Sequence, residues 1–152
     1  MKNLLLPNKN KMKKLFLIGL LLSTISINAQ DFKKLQLTVI TNLSKEAIVY
    51  LEPIDNDRLL LIEYFKSSLS ADGFKVVTDR KEATYTITIK YHHRSDTCCG
   101  GRVMTDMEGQ VMGVKNSAEV VANFSFSQGA FGGKCASDIM SALAKKIKES
   151  AK

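Results

Sequence analysis

The chain has 152 residues, 45% of them hydrophobic and 24% charged, with three cysteines and no tryptophan. Its 22 lysines and arginines against 15 acids would suit a binder of nucleic acid or of an anionic surface, but the basic excess is concentrated at one end. What that end encodes decides which partners the charge excludes.

Lys9, Lys11, Lys13 and Lys14 precede the apolar run Leu15 to Ile27, which closes on Asn28, Ala29 and Gln30. Basic, apolar and small-residue regions in that order read as a secretory signal peptide. The 13-residue apolar run is shorter than the roughly 20 residues a membrane-spanning helix needs, so no retained transmembrane helix is expected. We place the signal at residues 1–29, with Met12 an alternative start, and a single domain at 30–152. The signal carries five lysines (Lys2, Lys9, Lys11, Lys13, Lys14) and no acid, which leaves 17 basic against 15 acidic residues in the domain. The domain is nearly neutral, and no nucleic-acid partner is expected. No cysteine lies near Ala29, so the expected location is exported, periplasmic or extracellular, and not lipid-anchored. Cysteines in such a compartment tend to pair.

Leu35 to Asn42 alternates as a strand, with Leu35, Leu37 and Val39 on one face, and Ala47 to Pro53 is a second strand closed by its proline. A helix follows: Asn56 or Asp57 can cap it, Leu59, Ile62, Tyr64, Phe65 and Leu69 recur at three- and four-residue steps, and Gly73 ends it. "FKVVTD" is a short strand. "ATYTITIKYHH" shows the clearest alternation, with Tyr85, Ile87, Ile89 and Tyr91 on one face and Thr84, Thr86, Thr88, Lys90 and His92 on the other. Such a pattern fits a sheet packed on one face and polar on the other. "GQVMGV", the turn "KNSA" and "AEVVANFSFSQ" form a hairpin in which Val120, Ala122, Phe124 and Phe126 share a face opposite Val121, Asn123 and Ser125. The last helix presents Ile139, Met140, Leu143, Ala144 and Ile147 as one stripe. Its basic end "AKKIKESAK" suits the helix dipole. The order predicts a two-layer α+β sandwich, a mixed and mostly antiparallel sheet with two helices packed on one face.

The run "AIVYLEPIDND", the helix end and strands "LSADGFKVVTDRKEATYTITIKY", the hairpin "GQVMGVKNSAEVVANFSFS" and the closing helix resemble the small exported bacterial domains exemplified by the TolB amino-terminal domain and the LPS-assembly lipoprotein LptE. The likeness covers residues 47 to 150 and lies in the hydrophobic pattern and a few turn residues, Glu82, Ala83, Thr84 and Tyr85 among them. The chain departs from the lipoprotein members in lacking a lipidated cysteine. The resemblance implies a role in envelope assembly and protein contacts rather than catalysis.

Chemistry-bearing residues concentrate in "KYHHRSDTCCGGR" (90–102). As a metal site it offers His92, His93, Asp96, Cys98 and Cys99, but consecutive strand residues face opposite sides and adjacent cysteines chelate one ion poorly. As a disulfide it is better placed. If the strands ending at His92 and Gln128 both flank the strand 109–114, they finish at the same end of the sheet, just before Cys135. A bridge from Cys98 or Cys99 to Cys135 would close a loop of about 35 residues and contribute about 3 kcal/mol. A thiol-redox reading lacks the C-x-x-C motif. "SQGAFGGKCA" fails as a phosphate loop, since Gln128 stands for the first glycine and Cys135 for the hydroxyl. Glu52, Asp55 and Asp57 lack calcium-loop spacing, and no Ser/His/Asp set can be nominated.

The expectation is therefore a non-enzymatic binding protein without a cofactor, with an unknown envelope or secreted protein as partner and its oligomeric state open. Its candidate contact surface is Thr84, Thr86, Thr88, Lys90 and His92 with the glycine-rich rim, where Arg102, Phe131 and Lys134 stand. The alternative is a metal-handling or thiol-redox protein using His92, His93, Cys98, Cys99 and Cys135.

Overall fold

The computed structural model describes residues 34–98, 101–114, 119–128 and 134–152, and the side chains of all these except 95–98, 101 and 102. The expected signal peptide, Phe131 and Cys99 fall outside them, as do the side chains of Asp96, Cys98 and Arg102.

The strands are β1 (Leu35–Val39), β2 (Ile48–Leu51), β3 (Lys75–Val77), β4 (Tyr85–Cys98), β5 (Gly101–Gly113) and β6 (Val120–Ser127); the helices are α1 (Leu61–Ala71) and α2 (Ala136–Ser150). They form one six-stranded sheet in the order β1-β6-β5-β4-β2-β3. Only the β2–β3 and β2–β4 pairs are parallel; the other three are antiparallel. The two helices pack on each other, α2 also against β1 and α1 also against β3. This is the mixed α+β architecture that the element order predicts.

One unbroken row of Cα partners fixes the sheet's register: Val39, Ala122, Val111, Ile87 and Leu51 lie side by side across five strands. Ala122, Val111, Ile87 and Leu51 are buried beneath the helices together with Phe124, Phe126 and Met107. The helices answer with Leu61, Phe65 and Leu69 from α1 and Ile139, Met140, Leu143, Ala144 and Ile147 from α2. Each large side chain of this kind contributes about 1.5–3 kcal/mol when fully buried. Gly109 sits where a side chain cannot: a Cβ there would run into both the Phe124 ring and the Thr88 carbonyl oxygen.

Helix α1 begins four residues after its expected cap. Asn56 and Leu60 both take left-handed backbone, at φ 56° and 53°, so the chain turns twice before the helix starts. Asp57 still serves the helix, its Oδ2 accepting the Ile62 N–H at 2.9 Å. The other end matches the expectation, because Gly73 at φ 96° lets the Gly73 and Phe74 N–H groups return to the Ser70 and Leu69 carbonyls.

Two expectations are corrected. The strand expected to end at His92 and its partner expected at 109–114 are both longer: β4 runs to Cys98 and β5 starts at Gly101. Val103, Met104 and Met107 supply the reason, since all three are buried and draw the chain into the sheet. The second correction concerns Val121, expected opposite the packed face but buried. Val111 pairs with Ala122 and Met112 with Val120, so Val121 is the extra residue of a bulge. Its carbonyl accepts both the Ile40 and the Thr41 N–H, at 2.8 and 3.1 Å.

Candidate functional site on the outer sheet face

The face of the sheet turned away from the helices carries polar side chains in register. Gln36, Ser125, Glu108 and Lys90 form one row across β1, β6, β5 and β4, and Thr38, Asn123, Gln110 and Thr88 form the next. These eight residues line an open groove of about 690 Å³, closed at one side by Glu52 and Pro53 from the end of β2. Glu52 is held there by an ion pair with Arg80 at 3.4 Å. Amide, hydroxyl and carboxylate groups at strand spacing make a surface of alternating donors and acceptors, suited to hydrogen bonding with an extended polar partner.

A third row continues toward the β4–β5 hairpin with Ser127, Asp106 and His92. The His92 Nδ1 lies 2.5 Å from Asp106 Oδ1, and Asp106 Oδ2 accepts the Thr105 hydroxyl at 3.0 Å. The hydrogen bond to the Asp106 carboxylate, and then its charge, hold the His92 pKa above the ordinary 6.5. Serine, aspartate and histidine therefore meet on one face, but in the wrong order for hydrolysis. Asp106 stands between Ser127 and His92, so the imidazole is not beside the hydroxyl it would have to deprotonate.

The residues that the sequence nominates separate into groups. Thr88, Lys90 and His92 lie on the outer face as expected. Thr84 is spent on structure, its hydroxyl donating to the Ile48 carbonyl at 3.0 Å and accepting the Ile48 N–H at 2.9 Å. Thr86 is no surface residue, being 1% exposed, and its hydroxyl has no hydrogen-bond partner. The cause is its row: Thr86 lies between Met112 and Tyr50 on the outer face, where larger neighbours cover it. Lys134 bridges Met104 through two backbone hydrogen bonds, which sets the following residue, Cys135, beside the start of β5. Cys135 is buried.

His92 and His93 part company. His93 turns to the Tyr91 side of β4, their ring centroids 6.1 Å apart, while His92 faces out. Among the described residues no group of three His, Cys, Asp or Glu side chains is placed to hold a metal ion. Asn123 and Ser125 lie on the outer face, as their alternation predicts, and Gln36, Thr38, Asp106, Glu108 and Gln110 complete it without having been singled out by sequence pattern. Their signal is present in "QLT", "DMEGQ" and "NFS", each a polar alternation against an apolar one.

No protein-family model and no curated protein matches the sequence. Solved structures do. A PelC dodecamer from Paraburkholderia phytofirmans is 17% identical with a TM-score of 0.53, the match covering 78% of this chain and 98% of that one. A minor lipoprotein from Acinetobacter baumannii (17% identity, TM-score 0.38, 70% and 90% covered) and a DUF4136 family protein from Bacteroides thetaiotaomicron (10%, 0.46, 76% and 92%) also match. The PelC likeness shows a shared fold. The expected location without a lipid anchor is corrected, since the solved structures that match include one titled a minor lipoprotein. That expectation rested only on the missing cysteine near Ala29 and is withdrawn.

Proposed function

We propose that the protein is a non-enzymatic accessory protein of the cell envelope that works by binding, through the outer face of its sheet, a partner envelope protein. The observation that carries this reading is the groove, two registered rows of polar side chains left open across four strands. The likeness to TolB and LptE domains points the same way. PelC, solved as a dodecamer, supports a further part of the reading, that the fold acts as an assembly of several copies.

The test is photo-crosslinking in cells that make the protein, with the probe at Gln110 or Ser125 on the groove and, as control, at Lys146 on α2. Discrete adducts from the groove positions and none from the control are expected. Equal adducts from both faces, or none from the groove, would overturn the reading.

The segment beyond His92 belongs to the same proposal as a staple. Cys98 or Cys99 pairs with Cys135, ties the β4–β5 hairpin to the start of α2 and leaves one thiol. Alkylation of the denatured, unreduced protein with a chelator present should add one label. Three labels would remove the staple and favour the metal or thiol-redox alternative.

A further inference from the structure

The outer face is polar in the groove but not throughout. One register step along from the Thr38 row, Met112 lies between Val120 and Thr86, Thr86 beside Tyr50, and Tyr50 beside Val77. These five residues make an apolar row from β6 to the β3 edge, and it covers the unpartnered hydroxyl of Thr86. At the other edge stands Ile40. Val39 is level with Leu51 through the five-strand row, and the residue after it bonds to Val121, the inserted neighbour of the row's Val120. Ile40 and Val77 thus stand beside the two ends of the row, at opposite edges of one sheet.

Both edges are open. β1 and β3 are the end strands of the sheet, and among the described residues neither pairs with a seventh. Ile40 is 59% exposed and Val39 36%. The bulge at Val121 draws the Ile40 and Thr41 N–H groups inward and leaves the Ile40 side chain out. An apolar row that reaches solvent at both ends is an unsatisfied surface on an otherwise polar face. Edge strands are the usual template for pairing with another chain.

We propose that the β1 end of one copy, through Val39, Ile40 and Thr41, pairs with the β3 edge of the next, so that the sheet and its apolar row continue from copy to copy. This rests on the reading that the protein acts as a multi-copy assembly and names the surface that builds it. Since β1 is antiparallel to β2 and β3 parallel to it, the new pair is antiparallel. Ile40 of one copy then faces Val77 of the next as a cross-strand apolar pair. The two surfaces differ, so the contact is heterologous. A contact of that kind propagates head to tail and closes into a ring when the rotation per copy allows. The groove rows would run on through the assembly in the same register, joining the binding faces of neighbouring copies.

The experiment is sedimentation of the full chain over a concentration series, for the unaltered protein, Ile40→Asp, Val77→Asp, and the two variants mixed. The unaltered protein should form a multi-copy species, and each variant alone should fall to monomer with unchanged circular dichroism. The mixture should form a dimer and nothing larger, because Val77→Asp keeps an intact β1 end and Ile40→Asp an intact β3 edge, while the two altered edges would bring aspartate against aspartate. Variants that keep the multi-copy species, or a mixture that stays monomeric, would overturn the edge pairing while the multi-copy reading stands. A monomeric unaltered protein at every concentration would overturn both. A second measurement does not depend on the Val77→Asp fold: the double variant Ile40→Cys/Val77→Cys should give a ladder of disulfide-linked copies on a non-reducing gel. The two positions lie about 24 Å apart within one copy, five strand spacings, which excludes a bridge inside the chain. A ladder equal to that of the single-cysteine variants would also overturn the proposal.

Discussion

Replacing Asp57 with alanine should cost more than its place in a surface loop suggests. Its two carboxylate oxygens hold two different parts of the structure: Oδ2 accepts the Ile62 N–H at the start of α1, and Oδ1 accepts the Tyr91 hydroxyl from β4 at 2.9 Å. Tyr91 in turn accepts the Leu59 N–H at 3.3 Å, so one carboxylate clamps the left-handed Leu60 from both sides. Loss of a helix cap costs about 1 kcal/mol. Loss of a carboxylate–hydroxyl bond at a half-buried site adds about 1–1.5 kcal/mol, the low end for charged partners. The left-handed backbone at Leu60 persists in the variant, which offers no relief. The expected total is about 2–2.5 kcal/mol, or roughly 6–12 °C in Tm for a domain of this size. Urea denaturation of Asp57→Ala, Tyr91→Phe and the double variant is the assay. Tyr91→Phe alone should cost about 1 kcal/mol, and the double variant should cost less than the sum by about 1 kcal/mol, because the two side chains share one bond. A loss below about 0.5 kcal/mol for Asp57→Ala, or additive costs in the cycle, would refute the clamp.

Tyr91 should ionise above the ordinary tyrosine pKa of 10.0, first because of burial and then because of the Asp57 hydrogen bond. Its contribution to stability is present below pH 10 and lost as pH rises through the folded value; tyrosinate absorbance should show Asp57→Ala lowering that value. His92 should titrate above 6.5 in proton NMR and move down in Asp106→Asn. Its raised pKa stabilises the fold below the unfolded pKa, and that contribution fades as pH rises through the folded one. Gly109→Ala should destabilise by about 3 kcal/mol or more, since the clash is with a backbone carbonyl as well as a ring; a loss under about 1 kcal/mol by urea melt would contradict the packing. Thr86→Val should raise stability by about 1 kcal/mol by removing a buried hydroxyl without a partner, and a loss of similar size would show that the hydroxyl is bonded.

The fold is legible in the sequence because its strands and helices carry different periods. The β4 alternation and the α2 stripe each name their buried residues, and the structure buries Ile87, Ile89, Leu143 and Ile147 as those patterns require. What period alone does not supply is length. The pattern stops β4 at His92 because histidine, arginine, aspartate and glycine read as loop chemistry. The signal for strand lies on the partner, in Val103, Met104 and Met107. A strand whose own residues are polar can be held by the burial of the strand beside it, and that information sits a dozen residues away in sequence.

The candidate site shows the same limit from the other side. A polar alternation on one strand shows that one face is polar, but a groove is a property of four strands in register, and register depends on bulges. The extra residue Val121 shifts β6 by one place against β5, so that Val120 rather than Val121 meets Met112. Thr86 illustrates the consequence. Thr86 and Thr88 are chemically the same and stand on the same face of the same strand. Thr88 lies between Gln110 and the groove opening, while Thr86 lies between Met112 and Tyr50, so one residue is a contact candidate and the other is core. The division of the outer face into a binding groove and an apolar seam is therefore set by which β5 and β2 residues stand beside each threonine. Deletion of Val121 removes the bulge while Asn123 and Ser125 keep their partners on the far side of it, so groove crosslinks at Ser125 should persist and self-association through Ile40, whose N–H is held by the Val121 carbonyl, should weaken. Loss of the groove crosslinks in the deletion variant would show that the bulge organises the whole face.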